Sequence, residues 1–132
     1  SLDSFLSTLL RAGIRRLVDV RRNPLSRKYG FSGSSLRRLC ADVGISYVPL
    51  PALGIPSELR RDLSTPESYT TLFNDYEATT LSAELPTVRR LASELSEAPS
   101  AIMCFESDSK FCHRGRLAPQ LALLSGLSIR HL

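Results

Sequence analysis

A chain of 132 residues supports one ordinary hydrophobic core and not two, so we expect a single domain over residues 1–132. With 17 Lys and Arg against 13 Asp and Glu it carries a formal charge of +4, and no apolar stretch approaches a membrane span. Three cysteines at irregular spacing do not suggest a disulfide framework, and no signal peptide is visible, so a reducing cytoplasm is the expected setting.

Leu2, Phe5, Leu6, Leu9 and Leu10 follow the spacing of an amphipathic helix, which Gly13 closes. Ile14 to Val20 predicts a first buried strand, interrupted only by Asp19. Arg22-Asn23-Pro24-Leu25-Ser26 then breaks regularity, and a loop runs on through Tyr29-Gly30. Ser32 is a fitting N-cap for a second helix with Leu36, Leu39, Cys40 and Val43 on its apolar face. Cys40 reads as a small core residue there. After Gly44, Ile45 to Leu50 predicts a second strand, and Pro49, Pro51, Gly54 and Pro56 mark a long loop.

Thr65-Pro66-Glu67 signals a helix start, and Tyr69, Leu72, Phe73 and Tyr76 then share a face. That spacing belongs to core packing rather than to a platform for stacking bases. Leu85, Val88, Leu91, Ala92 and Leu95 mark a further helix before Pro99, and Ala101 to Phe105 a third strand. Proline is tolerated only in the first turn of a helix, so Pro119 places the start of the last helix near Gly115 or Arg116. Gly126 ends it, and Leu127 to Leu132 predicts a final strand. Alternating helices and strands predict a three-layer α/β sandwich with a mostly parallel sheet. Such folds usually open with a strand, whereas this chain opens on a helix and on Ser1 rather than Met, so we expect it to begin within a longer protein.

Parallel strands open at their carboxyl ends into a common crevice where ligands bind. Asp19, Arg21, Cys104, Glu106, Cys112, His113 and Arg114 all lie at or beyond such ends, so they are expected to converge. Asp19 and Glu106 are the candidate acid and base, a pairing suited to hydrolysis or glycosidic cleavage. Asp19 can equally be a structural acceptor for loop N–H groups. Cys112 and His113 are further catalytic candidates, since a helix N-terminus and a neighbouring imidazole lower a thiol's pKa. Arg21, Arg22, Ser26 and Arg114, with the N-terminus of the last helix, form the expected anion-binding set. Arg114 pairing with Asp19 or Glu106 as a structural clamp is the plainer alternative.

Nearly every cation is Arg, and Arg11, Arg15, Arg16, Arg21, Arg22, Arg27, Lys28, Arg37 and Arg38 crowd the first 40 residues. The planar guanidinium fork suits phosphate and carboxylate, while GC-rich coding accounts for the same bias in bland terms. Cys104, Cys112 and His113 match no common zinc spacing, so no metal is expected. Without a Gly-rich phosphate loop or dinucleotide fingerprint, no cofactor is expected either.

Taken together, Leu17-Val18-Asp19-Val20-Arg21-Arg22-Asn23-Pro24 with Ser26, Gly44-Ile45-Ser46-Tyr47, Leu53-Gly54, Met103-Cys104-Phe105-Glu106, Cys112-His113-Arg114 and Ile129-Arg130-His131-Leu132 make a specific set. The chain resembles the domain-of-unknown-function 488 family, whose marks occur in this order. The resemblance implies an α/β domain with its site at the Asp-Val-Arg, Cys-Phe-Glu and Cys-His-Arg residues, and implies no established reaction. Family members usually begin with a strand of Thr-Ile-Gly-His-Ser type, which this chain lacks ahead of Ser1 and which is expected to add a strand and a site His. They also tend to have a second Gly after Gly54, where Ile55 stands here.

The expected function is acid–base chemistry of hydrolase or base-excision type on a phosphate-bearing substrate, a nucleotide or nucleic acid. The alternative is a non-catalytic nucleic-acid-binding module that uses the basic N-terminal segment.

Overall fold

The computed structural model of the protein describes residues 1–60, 63–104 and 111–132. Its sheet has three strands, β1 (Arg16–Asp19), β2 (Ser46–Pro49) and β3 (Ser100–Met103), in the order β2-β1-β3. Both pairings are parallel, with Leu17 opposite Tyr47 on one side and Ala101 on the other. Helices α1 (Leu2–Arg11), α2 (Gly33–Asp42), α3 (Pro66–Asp75), α4 (Leu85–Glu94) and α5 (Arg114–Ser125) supply the outer layers.

Side chains alternate across a strand, and β1 shows what that does here. Leu17 enters a cluster with Leu9, Leu36, Cys40, Ile45, Tyr47 and Met103, beneath α1 and α2. Val18 and Val20 point the other way, into a larger cluster with Phe73 of α3, Tyr76 just beyond it, Val88 and Leu91 of α4, and Leu117 and Leu121 of α5. The chain is therefore a three-layer α/β sandwich, with β1 covered on both faces as a central parallel strand must be. Cys40 is a fully buried part of the first cluster.

Local chemistry explains the element ends. Ser1 caps α1 by accepting from the Ser4 amide, and Thr65 and Ser68 form a reciprocal capping box at α3. Between α3 and α4 the chain widens into a π segment, Tyr76–Leu81. Such segments are rare and re-aim the side chains around them. Pro119 lies inside α5, which starts at Arg114, one or two residues before the start inferred from that proline.

The strands are shorter than the sequence suggests, and the last one is absent. Residues 127–132 follow the left-handed Gly126 without forming a ladder, and Leu127, Ile129 and Leu132 stay exposed. Six residues are too few for periodicity to separate a strand from an irregular tail. Among the described residues β3 is thus an edge strand, paired only with β1. No helix among them is long and apolar enough to cross a membrane.

Candidate functional site

The end of β1 carries a buried ion pair. Asp19 is 1% exposed and Arg21 2%. They sit two residues apart, so an extended chain sends both side chains to the same side. Arg21 Nε donates to Asp19 Oδ1 at 2.8 Å and Nη2 donates to Oδ2 at 2.7 Å, while the Arg21 amide donates to Oδ1 at 3.1 Å. The Tyr47 hydroxyl, from β2, donates to Oδ2 at 2.5 Å. Both carboxylate oxygens are therefore occupied by donors. Desolvation works against the charge on Arg21, but the bonds to Asp19 outweigh it and hold the guanidinium's pKa above its ordinary value. Burial, followed by the bond to Asp19, pushes the Tyr47 hydroxyl up to about 12.

Two glycines make room for this arrangement. A Cβ on Gly33 would stand 2.8 Å from the Tyr47 hydroxyl oxygen. On Gly54 it would stand 2.2 Å from the backbone nitrogen of Arg22, closer than real Cβ atoms come. The loop after β2 thus lies directly on the chain leaving β1, and fixes the backbone that carries Arg21 and Arg22.

On the other face of the sheet, His113 at the N-cap of α5 is 1% exposed. Its Nε2 lies 2.8 Å from the carbonyl oxygen of Val20, which can only accept, so Nε2 carries the proton. Nδ1 keeps its lone pair, 3.9 Å from Cys112 Sγ. Burial pushes the imidazole down to about 4, and the nearby Arg60 and Arg114 charges add to this, against the opposing pull of Val20 and Asp19. His113 is neutral at neutral pH. The Tyr76 ring meets it edge-on at 5.2 Å, and the Tyr76 hydroxyl donates to the Leu53 carbonyl at 2.6 Å.

The fold brings the end of β3 to the start of α5, with the Cα atoms of Cys104 and Cys112 6.9 Å apart and their sulfurs in contact. The approach comes from tertiary proximity rather than from a spacing pattern, so the cysteine count does not reveal it. Joined to Cys104, Cys112 has no thiolate, so the nucleophile expected there exists only in the reduced protein. The Arg114 amide also donates to Cys112 Sγ at 3.5 Å.

Of the anion-binding candidates, Arg21, Ser26 and Arg114 line one cavity of about 1020 Å³, together with Lys28 and Cys104. The cavity runs down the outer edge of β3 between α1 and α5. Arg22 is exposed beside it and does not line it. Glu106 lies outside the described residues. Sequence reasoning put Lys28 only in the basic N-terminal segment, Tyr76 only on a core face and Tyr47 only in a family motif, and it gave Arg60 no role. Arg60 belongs to a short turn, Ser57–Arg60, and its Nη1 is buried without a hydrogen-bond partner among the described residues. Tyr47 had a usable signal, since it is in register with Leu17 and so shares the Asp19 face. Arg60 had none.

Among the described residues no group of three or more His, Cys, Asp or Glu is placed to hold a metal ion. What the geometry defines is an α/β domain with cationic side chains and a neutral, buried imidazole gathered at the carboxyl ends of parallel strands. The chain belongs to the family Domain of unknown function DUF488, whose sequence profile matches residues 1–121. No curated protein and no solved structure matches it.

Proposed function

We propose that the protein acts on a phosphate-bearing substrate, a nucleotide or nucleic acid, by hydrolytic or base-excision acid–base chemistry in the cytoplasm. One observation carries the reading: Arg21, Ser26, Lys28 and Arg114 share the walls of one cavity along the outer edge of β3. Arg114 opens α5, so the amides and positive dipole end of that helix add to the cationic side chains.

The roles divide as follows. Asp19 is a positioning residue, since each of its oxygens already accepts from Arg21 or Tyr47 and protonating it would break that set. Arg21 and Arg114 hold phosphate. Glu106, from its place in the sequence after Cys104, is the acid or base, and neutral His113 retains a lone pair on Nδ1.

A second reading, a non-catalytic nucleic-acid-binding module, draws on the exposure of Arg22, Arg27, Lys28, Arg37 and Arg38. A screen of nucleotides and oligonucleotides separates the two. Turnover that disappears in Glu106→Gln while binding survives supports the enzyme. Salt-sensitive binding with no Glu106-dependent turnover supports the module.

A further inference from the structure

An exposed segment lies at the cavity mouth, where its Ser26 and Lys28 form part of the wall. Between β1 and α2 the chain displays Tyr29, 87% exposed, and Leu25, 67% exposed, among the exposed cations Arg22, Arg27 and Lys28.

The segment is braced rather than loose. Ser26 and Ser32 bond reciprocally, the Ser26 amide to Ser32 Oγ at 3.0 Å and Ser32 Oγ to the Ser26 carbonyl at 3.3 Å. The Lys28 amide donates to Ser26 Oγ at 3.1 Å, and the Gly33 amide to the Pro24 carbonyl at 2.8 Å. Gly30, at φ +81°, packs against Leu2 of α1 immediately after Tyr29. Tyr29 is thus presented by fixed backbone, while Ser26 and Lys28 of the same segment line the cavity with Arg21 and Arg114.

We infer that this segment binds single-stranded nucleic acid, with a base stacked on Tyr29 and the backbone phosphates led by Arg22, Arg27 and Lys28 toward the cavity. An aromatic ring among cations is what single strands require, a π-face for an unpaired base and positive charge along the backbone. In a duplex the bases already stack on one another, so Tyr29 has nothing to cover. The inference rests on the phosphate-bearing substrate reading and narrows it from a small nucleotide to a strand.

The test is fluorescence anisotropy on the full chain with a labelled single-stranded DNA of about 12 nucleotides, which spans the usual site size of such grooves. An abasic strand of equal length and a mononucleotide are the companion probes. Tyr29→Ala is expected to weaken the normal strand by roughly ten- to a hundredfold, with Tyr29→Phe close to wild type and the abasic strand indifferent to both. Equal binding of normal and abasic strands, or no change in Tyr29→Ala, overturns the inference. Arg114→Gln reads the underlying proposal separately. If it weakens mononucleotide binding while Tyr29→Ala leaves strand binding intact, the phosphate site stands and the stacking surface falls. If Arg114→Gln affects neither ligand while Tyr29→Ala still weakens the strand, the stacking surface stands and the phosphate site falls.

Discussion

Arg21 grips Asp19 through two of its nitrogens, at 2.8 and 2.7 Å, from only two residues further along the same strand end. Both side chains are almost fully buried, so neither charge has water to fall back on. The sequence offered a clamp of Arg114 with Asp19 or Glu106; for Asp19 the shared side of an extended chain favours Arg21 instead.

Removing one partner of a buried pair leaves the other charge uncompensated. Asp19→Asn or Arg21→Met is therefore expected to lower unfolding stability by about 3–5 kcal/mol in urea titrations. The double variant is expected to lose much less than the sum. Additive losses would mean that the two side chains do not depend on each other, and would remove Asp19 as the residue that positions Arg21.

The parallel order of β1 and β3 and the place of α5 are legible in the sequence. A strand-length apolar run from Ile14 to Val20 and a proline at position 119 each have few structural solutions. What escaped was tertiary. Tyr76 sat in an aromatic stripe whose spacing said only that it faces the core, and it does; the π segment that begins there, and its contact with His113, have no sequence signature. Arg60 lies in an irregular stretch with no pattern. Gly54 was visible as part of a motif, but its closeness to Arg22 depends on two loops meeting. The Leu127–Leu132 strand failed because an alternating tail needs an edge to pair with, and short periodicity does not reveal whether it finds one.

His113 makes stability depend on pH. Its pKa is about 4 when folded, against an ordinary 6.5, so the unfolded chain binds this proton more readily. The stability gained by burying it neutral is complete above pH 6.5 and is lost as pH falls from there toward 4. The loss is on the order of 3 kcal/mol at most, from 1.36 kcal/mol for each pKa unit. Urea midpoints measured at intervals between pH 7 and 4 are expected to fall in the wild type. In His113→Asn the curve is expected to be flatter over the same window. A variant with the unchanged slope would assign the effect to carboxylates instead.

Tyr47→Phe isolates one bond of the buried set. The ring keeps its place in the first cluster, while Asp19 Oδ2 loses a donor and retains Arg21. A hydrogen bond to a charged group contributes about 1.5–3 kcal/mol, and unfolding stability is expected to fall by that amount. Phosphate-ligand affinity is expected to fall less than in Asp19→Asn, because Arg21 is still held on two sides. A Tyr47→Phe protein as stable as wild type would mean that water replaces the hydroxyl.

Gly54 tests whether the site depends on backbone contact between two loops. Its φ is −94°, which any residue adopts, so alanine there meets no conformational penalty. The obstacle is space, since the added carbon would lie 2.2 Å from the Arg22 nitrogen and 2.5 Å from its Cα. Backbone cannot swing aside as a flexible side chain can, so the two loops must part. Overpacking of this kind costs about 1–3 kcal/mol. Gly44→Ala is the matched control, because Gly44 has open space around it and a left-handed φ of +81°. Its cost is conformational, roughly 1 kcal/mol, and falls just before β2, at the end of that strand away from Arg21. Both variants are expected to lower urea stability, but only Gly54→Ala is expected to weaken phosphate-ligand binding as well. Equal binding in the two would mean that the loop carrying Gly54 packs against the site without shaping it.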